Sequence, residues 1–126
     1  MGRKSQFMLS EYNSVQMIQS EFPALAYQIK PDTGIKQLFK AVQNLADYTK
    51  EQLREDNRFE IEHCFKVAHE ISEQGSNISK LAIENVFVYS VSHLLEMSFS
   101  VSQEARKLFL KHFKTEYSKL INSSLA

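Results

Sequence analysis

Four histidines, His63, His69, His93 and His112, are the side chains best suited to act as a general base or to ligate a metal near neutral pH. His63 and His69 are six residues apart, so on one helix they fall on opposite sides and cannot share an ion. Glu60 and His63 form a Glu-x-x-His step, whose spacing puts both groups on the same side of a helix. Carboxylate-bridged di-iron bundles use that step, but they need a second copy from another helix and two further carboxylates. None of the other histidines has a glutamate three residues before it. No metal site and no bound cofactor are therefore expected, and the Glu60–His63 stretch reads as a solvated charged face.

Tyr89, His93 and Glu96 follow one another at steps of four and three, which lines them up on one helix. An imidazole beside a carboxylate on a largely buried helix is a candidate for tuned acid–base chemistry in an interhelical pocket. The competing account is that these groups satisfy one another or cap a neighbouring helix, as buried polar groups must. No nucleophile supports the catalytic alternative. Gly-x-Ser-x-Gly is absent, and the single cysteine, Cys64, lies on an apolar stripe where a thiol is inert packing. The three glycines, Gly2, Gly34 and Gly75, are isolated and build neither a phosphate loop nor a dinucleotide fingerprint. The balance leans away from an enzyme.

Lys plus Arg and Asp plus Glu each number 15, giving zero formal net charge and a pI near 6.9. A dedicated nucleic-acid-binding domain usually has a pI above about 9. Distribution is more informative than total. Residues 51–75 hold seven acidic and three basic side chains, whereas residues 101–126 hold five basic and two acidic ones. Lys107, Lys111 and Lys114 recur at steps of four and three with Arg106 beside them, a basic ridge opposite the apolar stripe of the last segment. Such a ridge is a solvated face, a docking surface for an acidic protein, or a surface for phosphate backbone. A protein partner is the leading expectation, with Tyr48 or Tyr117 as an exposed aromatic anchor. Homodimerisation stays open, because a neutral chain does little to oppose self-association.

The elements that must position these residues are helical by period. Hydrophobic residues make up 43% and charged residues 24% of 126 residues, with only 3 Gly and 2 Pro, which is too little turn material for many short strands. The length leaves room for one domain over residues 1–126. Met8, Tyr12, Val15, Ile18 and Phe22 mark a first amphipathic segment closed by Pro23, and residues 24–30 read equally as a helical turn or extended chain. Ile35, Leu38, Phe39, Val42, Leu45, Ala46, Thr49 and Leu53 make the cleanest stripe, capped by Asp32 or Thr33 and ending near Asp56 and Asn57. Ile61, Cys64, Phe65, Ala68 and Ile71 line the third segment, with Gly75 placed for a left-handed C-terminal residue.

Ser76 or Asn77 caps a fourth segment from about Ile78 to Phe99 that is apolar nearly all round, as a central buried helix would be. A strand over Val86–Val91 is the alternative by propensity. Ser100 or Ser102 caps the fifth, with Ala105, Leu108, Phe109, His112, Phe113, Tyr117, Leu120 and Ile121 on one face. The expected fold is all-α: a single compact bundle of about five antiparallel helices around a buried central one. Residues 1–5 and 123–126 are expected to fray. No signal peptide and no membrane span is expected, and a lone cysteine fits a reducing, cytoplasmic compartment.

Three stretches together carry a resemblance. They are Glu21-Phe22-Pro23-Ala24-Leu25, then Phe65-Lys66-Val67-Ala68-His69-Glu70-Ile71 with Gly75, then Leu81-Ala82-Ile83-Glu84-Asn85-Val86-Phe87 running into Leu94-Leu95-Glu96. The chain resembles, from about Val15 to Ile121, a family of small all-helical bacterial proteins carried as a domain of unknown function. That family's first element usually reads Phe-Pro-Glu-Leu, and Ala24 departs from it. The resemblance implies a cytoplasmic bacterial protein without established activity, of a kind that serves as an immunity-type or regulatory partner. A small-ligand or enzymatic bundle is the alternative, and a nucleic-acid-associated regulator the third.

Overall fold

The computed structural model describes residues 9–26 and 34–125, with side chains to residue 122. The described residues form helices α1 (Glu11–Glu21), α2 (Pro23–Ala26), α3 (Ile35–Glu55), α4 (Arg58–Gln74), α5 (Asn77–Ala82), α6 (Tyr89–Met97) and α7 (Gln103–Leu125). A π-helical stretch, Ile83–Val88, joins α5 to α6 in one continuous rod. The fold is all-α, a bundle of about five helical rods, as the periodicity predicts. Residues 1–5, Asp32 and Thr33 lie outside the described residues, as does most of the 24–30 stretch. α1 closes before Pro23, as the pattern predicts, with Phe22 as its C-cap, and the beginning of the 24–30 stretch is helical because Pro23 also opens α2.

Capping follows the side chains that the sequence offers. Ser10, Asn57 and Ser76 accept hydrogen bonds from the backbone amides of Asn13, Glu60 and Ser79, and Ser102 accepts one from Ala105 at 3.1 Å. α3 instead starts after Gly34 at φ 115°, which supplies no capping side chain. The left-handed C-cap expected for α4 at Gly75 does not form; α3 instead ends on a left-handed residue, Asp56, with φ 55° and ψ 39°. Gly75 itself is extended, with φ −79° and ψ 169°. It bridges to Leu9, whose amide donates to the Gln74 carbonyl at 2.5 Å. Its small size has a steric cause. A Cβ there would run into the Ile71 carbonyl and lie 2.7 Å from the Ser79 Cβ.

α3 packs against α1, α4, α5, the π-helical stretch and α6, burying Leu38, Val42, Leu45, Ala46, Thr49 and Leu53. The other centre is aromatic. Phe65 of α4, Phe87 of the π-helical stretch, and Phe109 and Phe113 of α7 meet at centroid distances of 5.5 to 6.4 Å, several of them edge to face. Each such buried ring contributes roughly 1.5–3 kcal/mol through lost contact with water. Cys64 is fully buried, and burial pushes its thiol up to about 12.

The rod from α5 to α6 is central, touching α3, α4 and α7. It is nevertheless one-sided. Ser79, Ile83, Phe87, Val91 and Leu95 are buried, while Leu81, Tyr89 and Met97 stand exposed. A repeat of four drifts by about 40° per step on an α-helix of 3.6 residues per turn. The wider π turn absorbs that drift and keeps the buried face aimed at α3 and the aromatic cluster.

Candidate functional site

α7 is broken at Phe113, whose φ of −129° and ψ of 26° are not helical. The ring is fully buried among the core aromatics, and the chain yields around it. Beyond the break the buried face shifts, so that Glu116 is only 8% exposed while Ile121 is 40% exposed. The carbonyl of His112, immediately before the break, accepts a hydrogen bond from His69 Nδ1 at 3.1 Å. A carbonyl only accepts, so the proton of His69 sits on Nδ1 and Nε2 carries the lone pair while the ring is neutral. The two imidazoles meet nearly edge to face with centroids 5.6 Å apart.

His112 Nε2 is buried without a hydrogen-bond partner among the described residues. Burial, then the neighbouring His69, then Lys111 hold its pKa below the ordinary histidine value. One turn along each helix, the Ser72 hydroxyl donates to the buried Glu116 carboxylate at 3.1 Å. Glu84, at the start of the π-helical stretch, pairs with Lys119 at 3.2 Å. These groups surround a polar cleft of about 360 Å³ between α4, the α5 end of the rod and α7, with Lys80, Lys111 and Lys114 also on its walls. No cluster of three or more metal-ligating side chains occurs among the described residues.

A second concavity, of about 300 Å³, lies between α6 and α7 and is mainly apolar, lined by Leu95, Phe109, Leu110 and Tyr117 among others. The Tyr117 hydroxyl crosses it to donate to Glu96 at 2.8 Å, and this bond, with burial, raises the phenol pKa. The Arg106 guanidinium closes the end of α6 by donating to the carbonyls of Leu95 and Ser98, and its Nε donates to that of Val101 at 3.3 Å.

The structure does not gather Tyr89, His93 and Glu96 into one pocket. Tyr89 and His93 stack in parallel at 6.3 Å on the exposed side of α6, with Tyr89 58% exposed, while Glu96 turns to Tyr117. Of the basic ridge, Arg106 is committed to α6. Lys107, Lys111 and Lys114 are exposed and carry no ion pair among the described residues. The two tyrosines expected as exposed anchors are half-buried. Tyr48 donates to Glu60 at 2.5 Å, and burial together with that carboxylate raises its pKa. The Glu60–His63 step does share a side, at 3.6 Å, and His63 Nε2 reaches Glu21 at 2.8 Å, tying α4 to α1.

The His69–His112 pair and the Ser72–Glu116 bond escape the sequence pattern, because their partners lie 43 and 44 residues apart. The available signal was His112 itself, a polar ring placed between Phe109 and Phe113 on an apolar stripe. A buried polar group there requires a partner on the facing helix.

Comparison with known families matches the chain to a family model described as Domain of unknown function (DUF7674), over residues 15–124. No curated protein and no solved structure matches the chain.

Proposed function

We propose, for a chain that belongs to the family Domain of unknown function (DUF7674), a non-enzymatic role in binding another protein through the face built by α6 and α7. The observation that carries it is the apolar surface left on that pair of helices and their connection. Phe99 is 99% exposed, Met97 70% and Leu110 46%. Leu110 also forms a wall of the apolar groove between the two helices. Large side chains left in water beside an apolar groove are the usual mark of an interaction surface.

Charge specifies the partner. Lys107 stands three residues before Leu110 on the part of α7 that precedes the break, so the two are neighbours on the helix. Lys107 has no ion pair among the described residues. The complementary occupant is an amphipathic segment of another protein that lays an apolar side chain into the groove and an acidic group against Lys107. Such a partner fits an immunity-type or regulatory role. Nothing long and apolar enough to cross a membrane occurs among the described helices.

The test is capture from native lysate on the tagged chain, with and without nuclease, using wild type, Leu110→Asp, Lys107→Glu and Lys80→Glu. The expected result is a stoichiometric protein that survives nuclease, is lost by the first two variants and is kept by the third. Equal capture by all variants would remove this face from consideration. Loss on nuclease treatment would assign the lysines to nucleic acid, and capture of this chain alone would make the face a homodimer interface.

A further inference from the structure

We infer that the polar cleft between α4 and α7 is a binding site for a phosphate group that retains a proton. This site is separate from the α6–α7 docking face and stands on different side chains. Three of its features together specify the ligand.

The first is charge. Lys80, Lys111, Lys114 and Lys119 line the cleft along with Glu73, Glu84 and Glu116. Glu84 is committed to Lys119 at 3.2 Å and Glu116 accepts the Ser72 hydroxyl at 3.1 Å, leaving Glu73 at the exposed rim. Lys80, Lys111 and Lys114 have no ion pair among the described residues. The lining sets four lysines against three glutamates, a net positive cleft that favours an anion, and lysine serves phosphate as a point charge.

The second is the state of the imidazoles. His69 donates its Nδ1 proton to the His112 carbonyl, so in the neutral ring Nε2 is an acceptor. The orphaned His112 Nε2 is the structure's one buried ring nitrogen without a partner among the described residues, and every such group calls for an explanation. Burial, His69 and Lys111 hold the His112 pKa below the ordinary histidine value. A ligand that satisfies the lone pair of His69 Nε2 must donate a hydrogen bond. Carboxylate and sulfate are acceptors only at neutral pH, whereas hydrogen phosphate is an anion that also donates.

The third is size and backbone. The cleft holds about 360 Å³, within the range of small-molecule sites. The break at Phe113 and the π-helical stretch both border it, and irregular turns inside helices recur at functional sites.

The experiment is an NMR titration of the full chain at pH 7.5, following the histidine ring nitrogens and the backbone amides of residues 111–116, with inorganic phosphate, methyl phosphate and sulfate at matched ionic strength. Inorganic phosphate always carries a proton at that pH, sulfate carries none and methyl phosphate mostly none. The expected result is saturable movement of the His69 and His112 signals with inorganic phosphate, weaker by about tenfold or more with sulfate, since a charge-assisted hydrogen bond is at stake. Methyl phosphate should gain on inorganic phosphate when the pH is lowered to 6, where it takes up a proton. Lys80→Glu and Lys111→Glu, both surface changes, should abolish saturation while leaving the folded spectrum intact. Sulfate binding as tightly as phosphate, no saturation with any anion, or full binding by both variants would overturn the assignment. The docking face is untouched by either variant, so its capture assay succeeds or fails independently.

Discussion

His69 Nδ1 donates to the backbone carbonyl of His112 at 3.1 Å, one residue before the break at Phe113. The bond joins α4 to α7 at the point where α7 leaves helical geometry. It also fixes the tautomer of the neutral His69 ring, leaving the lone pair on Nε2, and the second imidazole, His112, lies with its centroid 5.6 Å away. Two rings this close, one of them partly buried, resist taking up protons together.

That resistance makes stability depend on pH. The pKa of His112 is lowered in the folded protein by burial, by His69 and by Lys111, while the unfolded chain keeps an ordinary value of about 6.5. Below that pH the unfolded state binds more protons, so stability falls as pH drops from about 6.5 toward the lowered folded value and is fully present above it. Urea midpoints measured from pH 7.5 to 5 should decline, and His112→Phe should flatten the part of the decline due to this ring. An unchanged slope in His112→Phe would assign the dependence elsewhere.

The two glycines of the described chain should fail for different reasons. Gly75→Ala places a methyl group against the Ile71 carbonyl and the Ser79 Cβ at ordinary φ, and overpacking of this kind costs about 1–3 kcal/mol. Gly34→Ala meets nothing within 4 Å, but its φ of 115° is strained for any L side chain, a cost of about 1–2 kcal/mol. Denaturant titration reads both. Only Gly75→Ala should also speed hydrogen exchange at Leu9, whose amide bonds to the neighbouring Gln74 carbonyl.

Arg106 offers a test of what the basic ridge is for. Its guanidinium holds the carbonyls of Leu95, Ser98 and Val101, so Arg106→Ala should destabilise by about 1–3 kcal/mol. Arg106→Lys should recover little of this, because a single ammonium cannot reproduce the planar fork. Faster amide exchange in the last turn of α6 would locate the effect. If both variants keep wild-type stability and lose partner capture, Arg106 belongs to the docking face instead.

How much the sequence disclosed depends on the range of the interaction. The α3 stripe from Leu38 to Leu53 is buried as its period requires, and Asn57, Ser76 and Ser102 cap where short polar residues precede apolar runs. These are local matters of propensity and spacing. The cleft is not local, since His69 meets a carbonyl 43 residues away and Ser72 a carboxylate 44 away. Tyr89, His93 and Glu96 illustrate the opposite error. Their spacing was correct for one helix, but it left unspecified which side of that helix faces water. Here Tyr89 is 58% exposed and Glu96 is drawn to Tyr117.

The π-helical stretch turns that last point into a deletion experiment. Ser79, Ile83, Phe87, Val91 and Leu95 are buried at intervals of four, a period an α-helix cannot hold without drifting by about 40° each step. Deleting the exposed Asn85 would shorten one interval to three and bring the average close to 3.6, so the rod should become plain α-helix with the same face buried. Deleting the exposed Gln43 from the interior of α3 would instead rotate everything after it by about 100° and carry Leu45 and Leu53 out of the core. The Asn85 deletion should therefore remain folded with a modest change in urea midpoint, and the Gln43 deletion should not fold. The Glu84–Lys119 pair at 3.2 Å sits at the altered turn, so phosphate affinity in the Asn85 deletion reports whether the π turn shapes the cleft as well as the core. Should the Asn85 deletion unfold the protein, the wide turn would be a requirement of packing in its own right and not a correction for the period of four.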